Sequence, residues 1–148
     1  MGGYAAMAYN AGAILGYGSF GFLADAFGRK PVVIVFFAMS LVLTPVLFLW
    51  THDLTLLLVV AAINGYFTLG QYSWMPVWLP ELFPTRIRAT GMAFTFNAPR
   101  FVAFLGPLVA GTLIASFGGF GYAASLIYIL GLVAVCFLPE TNGRPLPT

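Results

Sequence analysis

Apolar residues come in long runs along the chain, and the polar ones are largely confined to short breaks between them. A bilayer-crossing helix needs roughly 20 mostly apolar residues at about 1.5 Å rise each. Five segments meet that requirement, at about 4–24, 32–50, 54–79, 89–116 and 122–138. Barrel strands are a poor alternative, because runs of this length lack two-residue alternation. The breaks carry the chemistry of helix ends. In "THDL", Asp53 precedes an apolar run and predicts an N-cap for the third helix. In "FPTRIR", Thr85 after Pro84 offers a cap for the fourth. "FGGFG" predicts a glycine turn over 117–121, and the proline-rich "LPETNGRPLP" ends the fifth helix.

Composition turns this pattern into a fold class. Of 148 residues, 61% are hydrophobic and only 7% charged, against about 25% charged in a soluble domain. With a mean hydropathy of +0.97, the chain reads as an all-α integral membrane protein. A net charge of +2 argues for no nucleic-acid partner. The one cysteine, Cys136, excludes an internal disulfide and sits in an apolar run, where packing is its role. The N-terminus has no basic region of a signal peptide, and Ala6 stands where myristoylation needs Ser or Thr. The sequence holds no Ser/His/Asp set, metal-ligand cluster or phosphate loop, so it predicts no enzyme chemistry, no metal and no cofactor.

Charge placement sets an expected orientation. All the charge of the first fifty residues, Asp25, Arg29 and Lys30, lies in "GFLADAFGRKP". Basic residues then alternate between breaks: none in the second, Arg86 and Arg88 in the third, none in the fourth, Arg144 in the tail. Because Lys and Arg are retained on the cytoplasmic side, residues 21–31, 80–88 and the C-terminus are expected inside. His52, a solvated turn residue, and Asp53 fall outside with 117–121. The N-terminus is then outside, and five helices with an external start predict that upstream helices are missing. In the first loop Gly28 frees the backbone for a tight turn, and Pro31 opens the next helix at its first position.

A few polar residues lie inside the apolar segments. Arg100 sits about twelve residues into the fourth helix, where an arginine near the bilayer centre needs a cavity or a partner. Asn97 is one turn earlier, and Pro99 and Pro107 can unwind the backbone there. A planar guanidinium grips carboxylates through paired hydrogen bonds, so Arg100 is expected to bind an anionic substrate or an acidic side chain on a central pathway. The alternative is an arginine locked to helix-end carbonyls. In the third helix Asn64, Thr68 and Gln71 form a polar stripe, continued by Met75 and Trp78. It either lines the pathway or bonds across helices. Tyr66 and Tyr72 lie elsewhere around the helix, and Trp74 and Trp78 read as interfacial anchors. In the first helix Ala8, Gly12 and Gly16 predict a close helix contact. The second and fifth helices, with only Ser40, Thr44, Ser125 and Tyr128 as internal polar residues, read as lipid-facing supports.

Three loops carry a family likeness. "GFLADAFGRK" resembles the Gly-x-x-x-Asp-basic-x-Gly-Arg-basic loop of the major facilitator superfamily, with Ala26 in place of a basic residue. "PELFPTRIRATG" is similar to the loop between helices ten and eleven of sugar, organic-ion and metabolite:proton porters. "LPETNGRPLP" resembles the Pro-Glu-Thr-Lys-Gly signature after helix twelve, with Asn142 replacing lysine. The resemblance implies helices eight to twelve of a twelve-helix transporter, residues 1–148 being a partial C-terminal domain with the N-terminal half absent. It implies that Asp25, Arg29, Lys30, Glu81, Arg86, Arg88 and Glu140 form a conformational charge cluster that latches helices in one state and releases them in another. The alternative for the first loop is a simple positive-inside anchor. A similar arginine to Arg100 in aromatic-acid and related porters implies a carboxylate substrate.

The expected function is therefore part of a secondary active transporter in the cell membrane. It would move small organic anions with proton coupling by alternating access. Its partners would be the small-molecule substrate, membrane lipid and the missing half. Alternatives are a sugar-type facilitator, and a non-transporting membrane scaffold or truncated remnant.

Overall fold

The computed structural model describes residues 2–104 and 120–147, and the regular elements within them are helical. Helix α1 spans Gly2–Phe27. Its last turn closes with the Gly28 amide donating to the Ala24 carbonyl at 3.0 Å. Gly28 then turns the chain with φ at +98°, a region costly for any residue with a Cβ. Helix α2, Arg29–Pro45, starts at the next residue. Pro31 is thus its third residue rather than its first, still in the opening turn where a missing amide costs nothing. Pro45 takes a donor away from the Leu41 carbonyl, and the chain widens into one π-type turn, Val46–Trp50.

Helix α3, Leu54–Gly70, is capped as the sequence predicts. One Asp53 carboxylate oxygen accepts from the amides of Thr55 at 3.1 Å and Leu56 at 3.2 Å. The predicted unbroken helix to residue 79 is corrected. After Gly70 the backbone tightens to 3-10 spacing over Gln71–Ser73 and resumes as α4, Trp74–Val77. It tightens again over Leu79–Leu82. Pro76 and Pro80 explain the break. Each lacks the amide that an α-helix would aim four residues back, and each ring crowds the carbonyl there.

Helix α5 covers Arg88–Ala103. Thr85 does not cap it; its amide and hydroxyl both donate to the Pro147 carbonyl, at 3.1 Å each. The remainder of the predicted fourth segment, with Pro107, lies outside the described residues, as do 117–119 of the predicted glycine turn and the side chain of Ser125. Helix α6, Phe120–Phe137, begins inside that predicted turn. Two helical stretches, Arg29–Trp50 and Leu54–Val77, have the length and mean hydropathy, 2.8 and 1.5, for a membrane crossing. The outer surface is apolar, with Phe22, Phe101 and Phe137 fully out in the surroundings.

Packing follows the small residues. A Cβ on Gly12 would stand 1.8 Å from the Ala62 carbonyl oxygen, and one on Gly65 would stand 2.0 Å from that of Tyr9. Helices α1 and α3 therefore touch backbone to backbone, as the Gly12 and Gly16 spacing predicts. A hydrogen bond of 2.7 Å between Ser19 and the Tyr66 hydroxyl ties the pair further along. Helices α2 and α6 meet where the Phe37 ring covers Gly131. Phe36 centres the core, with Phe20 and Phe67 edge-on at 5.2 Å and Tyr66 at 5.6 Å.

Trp78 corrects another expectation. It is fully buried in this core rather than anchored at an interface. It continues the stripe of Asn64 and Gln71, and that face is the one turned into the bundle. Trp74 is half-buried against the same core.

The glycine contact makes a direct prediction. Gly12→Val should lower stability by about 1–3 kcal/mol through overpacking. Gly18→Ala, with nothing within 4 Å of its added Cβ, should raise stability by up to about 1 kcal/mol. Thermal unfolding in detergent measures both.

Candidate functional site

The charged residues gather at the end of the bundle where α1 passes into α2. That hinge creates a problem for α2. Gly28 has no side chain to cap it, so the first amides of the helix have no local acceptor. The acceptor comes from the far end of the chain. Glu140 takes the Arg29 amide on Oε1 at 3.0 Å and the Lys30 amide on Oε2 at 2.9 Å. Its Oε1 also accepts the amides of Thr141 and Asn142, each at 2.9 Å. A carboxylate here meets both the orphan donors and the positive end of the helix dipole. Burial opposes ionisation of Glu140, but the four amides outweigh it and hold its carboxyl below the ordinary glutamate range.

The exchange is reciprocal. The Lys30 ammonium donates to the Cys136 carbonyl at 2.8 Å, in the last turn of α6. A cation at a helix C-terminus satisfies an orphan carbonyl and suits the dipole. Thus α6 leads into the residue that caps the start of α2, and α2 opens with the residue that caps the end of α6.

Arg29 adds a third element. Its Nη2 lies 3.0 Å from Glu81 Oε1, and its Nε 3.2 Å from Glu81 Oε2, a forked pairing. Its Nη1 reaches Asp25 at 2.8 Å, Asn142 Oδ1 at 2.9 Å and the Ala24 carbonyl at 3.1 Å. The Arg29 and Glu81 side chains are 13% and 19% exposed, whereas Asp25 is 70% exposed. Glu81 is therefore the main partner and Asp25 a solvated one. The Thr141 hydroxyl also donates to Glu81. The tail then turns at Thr141–Arg144, where the Arg144 amide donates to the Thr141 carbonyl at 3.0 Å and Gly143 takes φ of +72°. It runs on to Pro147, whose carbonyl receives Thr85 and, at 3.3 Å, Arg88 Nη2.

The structure thus brings together Asp25, Arg29, Lys30, Glu81 and Glu140. It does not bring in the other two basic residues of the expected cluster. Arg88 bonds carbonyls, of Phe83 and Pro147, and no described acid. Arg86 is exposed, with no ion pair among the described residues. Thr141, Asn142 and Pro147 join the cluster without having been expected; the only sequence signal was Asn142 standing in a lysine position.

A second feature lies in the other half of the bundle. Helices α1, α2, α3 and α6 surround a cavity of about 510 Å³ lined by Tyr9, Asn10, Thr44, Asn64, Thr68 and Tyr128 together with apolar side chains. Thr68 donates to Asn64 Oδ1 at 2.9 Å. The predicted stripe is split, since Gln71, beyond the helix break, is buried away from the cavity with Oε1 unpartnered among the described residues. Thr44 and Tyr128 correct the view of α2 and α6 as mere supports, because both turn a hydroxyl-bearing side chain inward. Arg100 and Asn97 do not line this cavity. They lie exposed on α5, Arg100 Nη1 3.3 Å from Asn97 Oδ1 and its guanidinium 4.5 Å over the Phe96 ring.

Comparison with known proteins gives the family context. A profile of the Major Facilitator Superfamily matches residues 1–147. A Haemophilus influenzae protein named for metabolite transport is 33% identical over 139 residues, which cover 91% of this chain and 34% of the relative. A Cupriavidus pinatubonensis protein named as a probable 4-methylmuconolactone transporter is 29% identical, over 88% of this chain and 32% of its own length. A glycine betaine/proline/ectoine/pipecolic acid transporter of Dickeya dadantii is 34% identical, over 85% and 26% respectively. The chain therefore spans about a third or less of the length of these relatives.

The capping carboxylate has a pH signature. A carboxyl held below its unfolded value contributes stability that is complete above the ordinary glutamate range. That contribution is lost as pH falls through the folded value. Glu140→Gln should therefore lower the thermal midpoint at pH 7, and the gap to the parent should narrow as pH falls from the ordinary glutamate range through the lower folded value. Melting curves of both proteins from pH 7 to pH 3 measure it; a gap that stays constant would mean the cap does not act through charge.

Proposed function

The chain belongs to the Major Facilitator Superfamily, and from that premise we propose that it forms part of a secondary transporter moving small organic solutes by alternating access. Family membership makes this all-helical chain a membrane protein. The reading is of a transporter, not an enzyme. The chain would correspond to helices eight to twelve, with the rest of the transporter supplied by residues that the longer relatives carry. The relatives' names, for metabolite, 4-methylmuconolactone and betaine or proline transport, support a small organic solute.

The observation that carries the reading is the Arg29–Glu81–Glu140 interlock. Basic residues alone would suffice to anchor a loop at a membrane surface. Here two acids join a hinge, the segment before α5 and the tail through directional bonds that can be made or broken as a unit. Such contacts suit a latch between two arrangements of helices. In this reading the clustered end and the C-terminus face the cytoplasm, following the basic residues.

The finer proposal concerns the solute. Arg100 and Asn97, exposed on α5, form the face offered to an organic anion, with proton coupling; Asn64 and Thr68 line the separate cavity, and Gln71 is buried away from both. Arg100 has no carboxylate partner among the described residues, and its planar fork matches a carboxylate.

The test is uptake in proteoliposomes by the chain co-expressed with the part of a relative that precedes it, helices one to seven in this reading. Asp25→Asn and Glu81→Gln should slow transport while leaving membrane insertion intact. Arg100→Ala should reduce carboxylate uptake at least about tenfold, with Arg100→Lys restoring only part of it. Unchanged kinetics in the Arg100 variants would remove the anion reading, and unchanged kinetics in the acid variants would remove the latch.

A further inference from the structure

We infer that the tail after α6 and the segment leading into α5 together form a docking surface for the headgroups of anionic phospholipids, with Arg86 and Arg144 as its cations. Acids are scarce in this molecule. The chain holds four acidic side chains, and each is engaged elsewhere. Asp53 caps α3. Asp25 and Glu81 are held by Arg29, and Glu140 is held by four amides. Arg86 and Arg144 are exposed and make no ion pair among the described residues. Arg144 borders a hollow of about 220 Å³ with Glu81 and Pro147, yet Glu81 already accepts from Arg29 and from the Thr141 hydroxyl. The counter-charge for both arginines therefore comes from outside the chain.

The tail carries Arg144 to the segment that holds Arg86. It is fastened at one end by Thr141 on Glu81. At the other, the Pro147 carbonyl receives the Thr85 amide, the Thr85 hydroxyl and Arg88 Nη2. Arg86 follows Thr85 directly, and the Cα of Arg144, three residues before Pro147, lies within about 11 Å of that anchor. Each arginine has an exposed apolar neighbour, Ile87 at 51% and Leu146 at 54%. Guanidinium groups interleaved with apolar side chains suit a membrane interface, where phosphates lie beside the first carbons of the acyl chains. A soluble phosphate would use the arginines but leave Ile87 and Leu146 in water. A basic side chain close to an anionic bilayer gains about fivefold in affinity, so two give roughly 25-fold.

This surface requires a chain seated in a membrane, which family membership gives, and does not require transport. Lipid binding and uptake can therefore fail separately.

Native mass spectrometry of the full chain in uncharged detergent should show phosphatidylglycerol held at least about tenfold more tightly than phosphatidylcholine with the same acyl chains. Arg86→Gln combined with Arg144→Gln should cut that preference to about twofold or less, and the paired lysine variants should keep most of it. Ile87→Gln with Leu146→Gln should weaken both lipids. All four side chains are exposed, so melting midpoints without lipid should match the parent. Inorganic phosphate in about hundredfold excess should leave phosphatidylglycerol bound. Equal retention of the two lipids, or a preference that survives the loss of both arginines, would overturn the inference. So would displacement by inorganic phosphate, the mark of a site for a soluble anion.

Discussion

The Glu140 carboxylate holding the first amides of α2 is the contact on which the charged end depends. Helix α2 follows α1 without a linker because Gly28 turns the chain within one residue. The same turn leaves α2 without a cap of its own. An uncapped start costs about 1 kcal/mol, and here the missing acceptor arrives from 111 residues away. Once Glu140 is seated, Thr141 and Asn142 fall within reach of Glu81 and Arg29. The tail can then run on to Thr85 and Arg88. Lys30 closes the circuit on the end of α6. The ion pairs are thus consequences of a cap, and they inherit their geometry from it.

Above this end the bundle is held in two different ways. Helices α1 and α3 touch through glycines, with carbonyl oxygens where side chains would otherwise stand. Helices α2 and α6 interlock through a ring over a glycine, Phe37 on Gly131. Phe36 and Trp78 fill the space between them. Among the described residues, helix α5 meets the rest through Phe83 against Gly91 and through Arg88 on the Pro147 carbonyl.

Much of this was legible in the chain, and the misses have physical causes. Asp53 announced its cap because the acceptor is a side chain adjacent in sequence. Gly12 and Gly16 announced the α1–α3 contact because close approach demands small residues at helical spacing. The grouping of Asp25, Arg29, Lys30, Glu81 and Glu140 was legible through the family likeness of their loops, which also implied Arg86 and Arg88, and these stand apart. Glu140 was legible as an acid but not as a cap, since its partners are backbone amides, which every residue carries. Hydropathy masked the break after Gly70. The apolar run continues through it, and only Pro76 and Pro80 record that the hydrogen-bond ladder fails. The cavity mixes Thr44 and Tyr128 from two helices that look almost wholly apolar, a convergence that no single segment displays.

The cap from afar also gives the molecule an order in time. Chains grow at about 5–20 residues per second, so Glu140 is made roughly 5–20 s after the two amides it will hold. Through that interval the first turn of α2 lacks its capping carboxylate. The turn at Gly28 is shaped early but fastened only once Glu140 has been made.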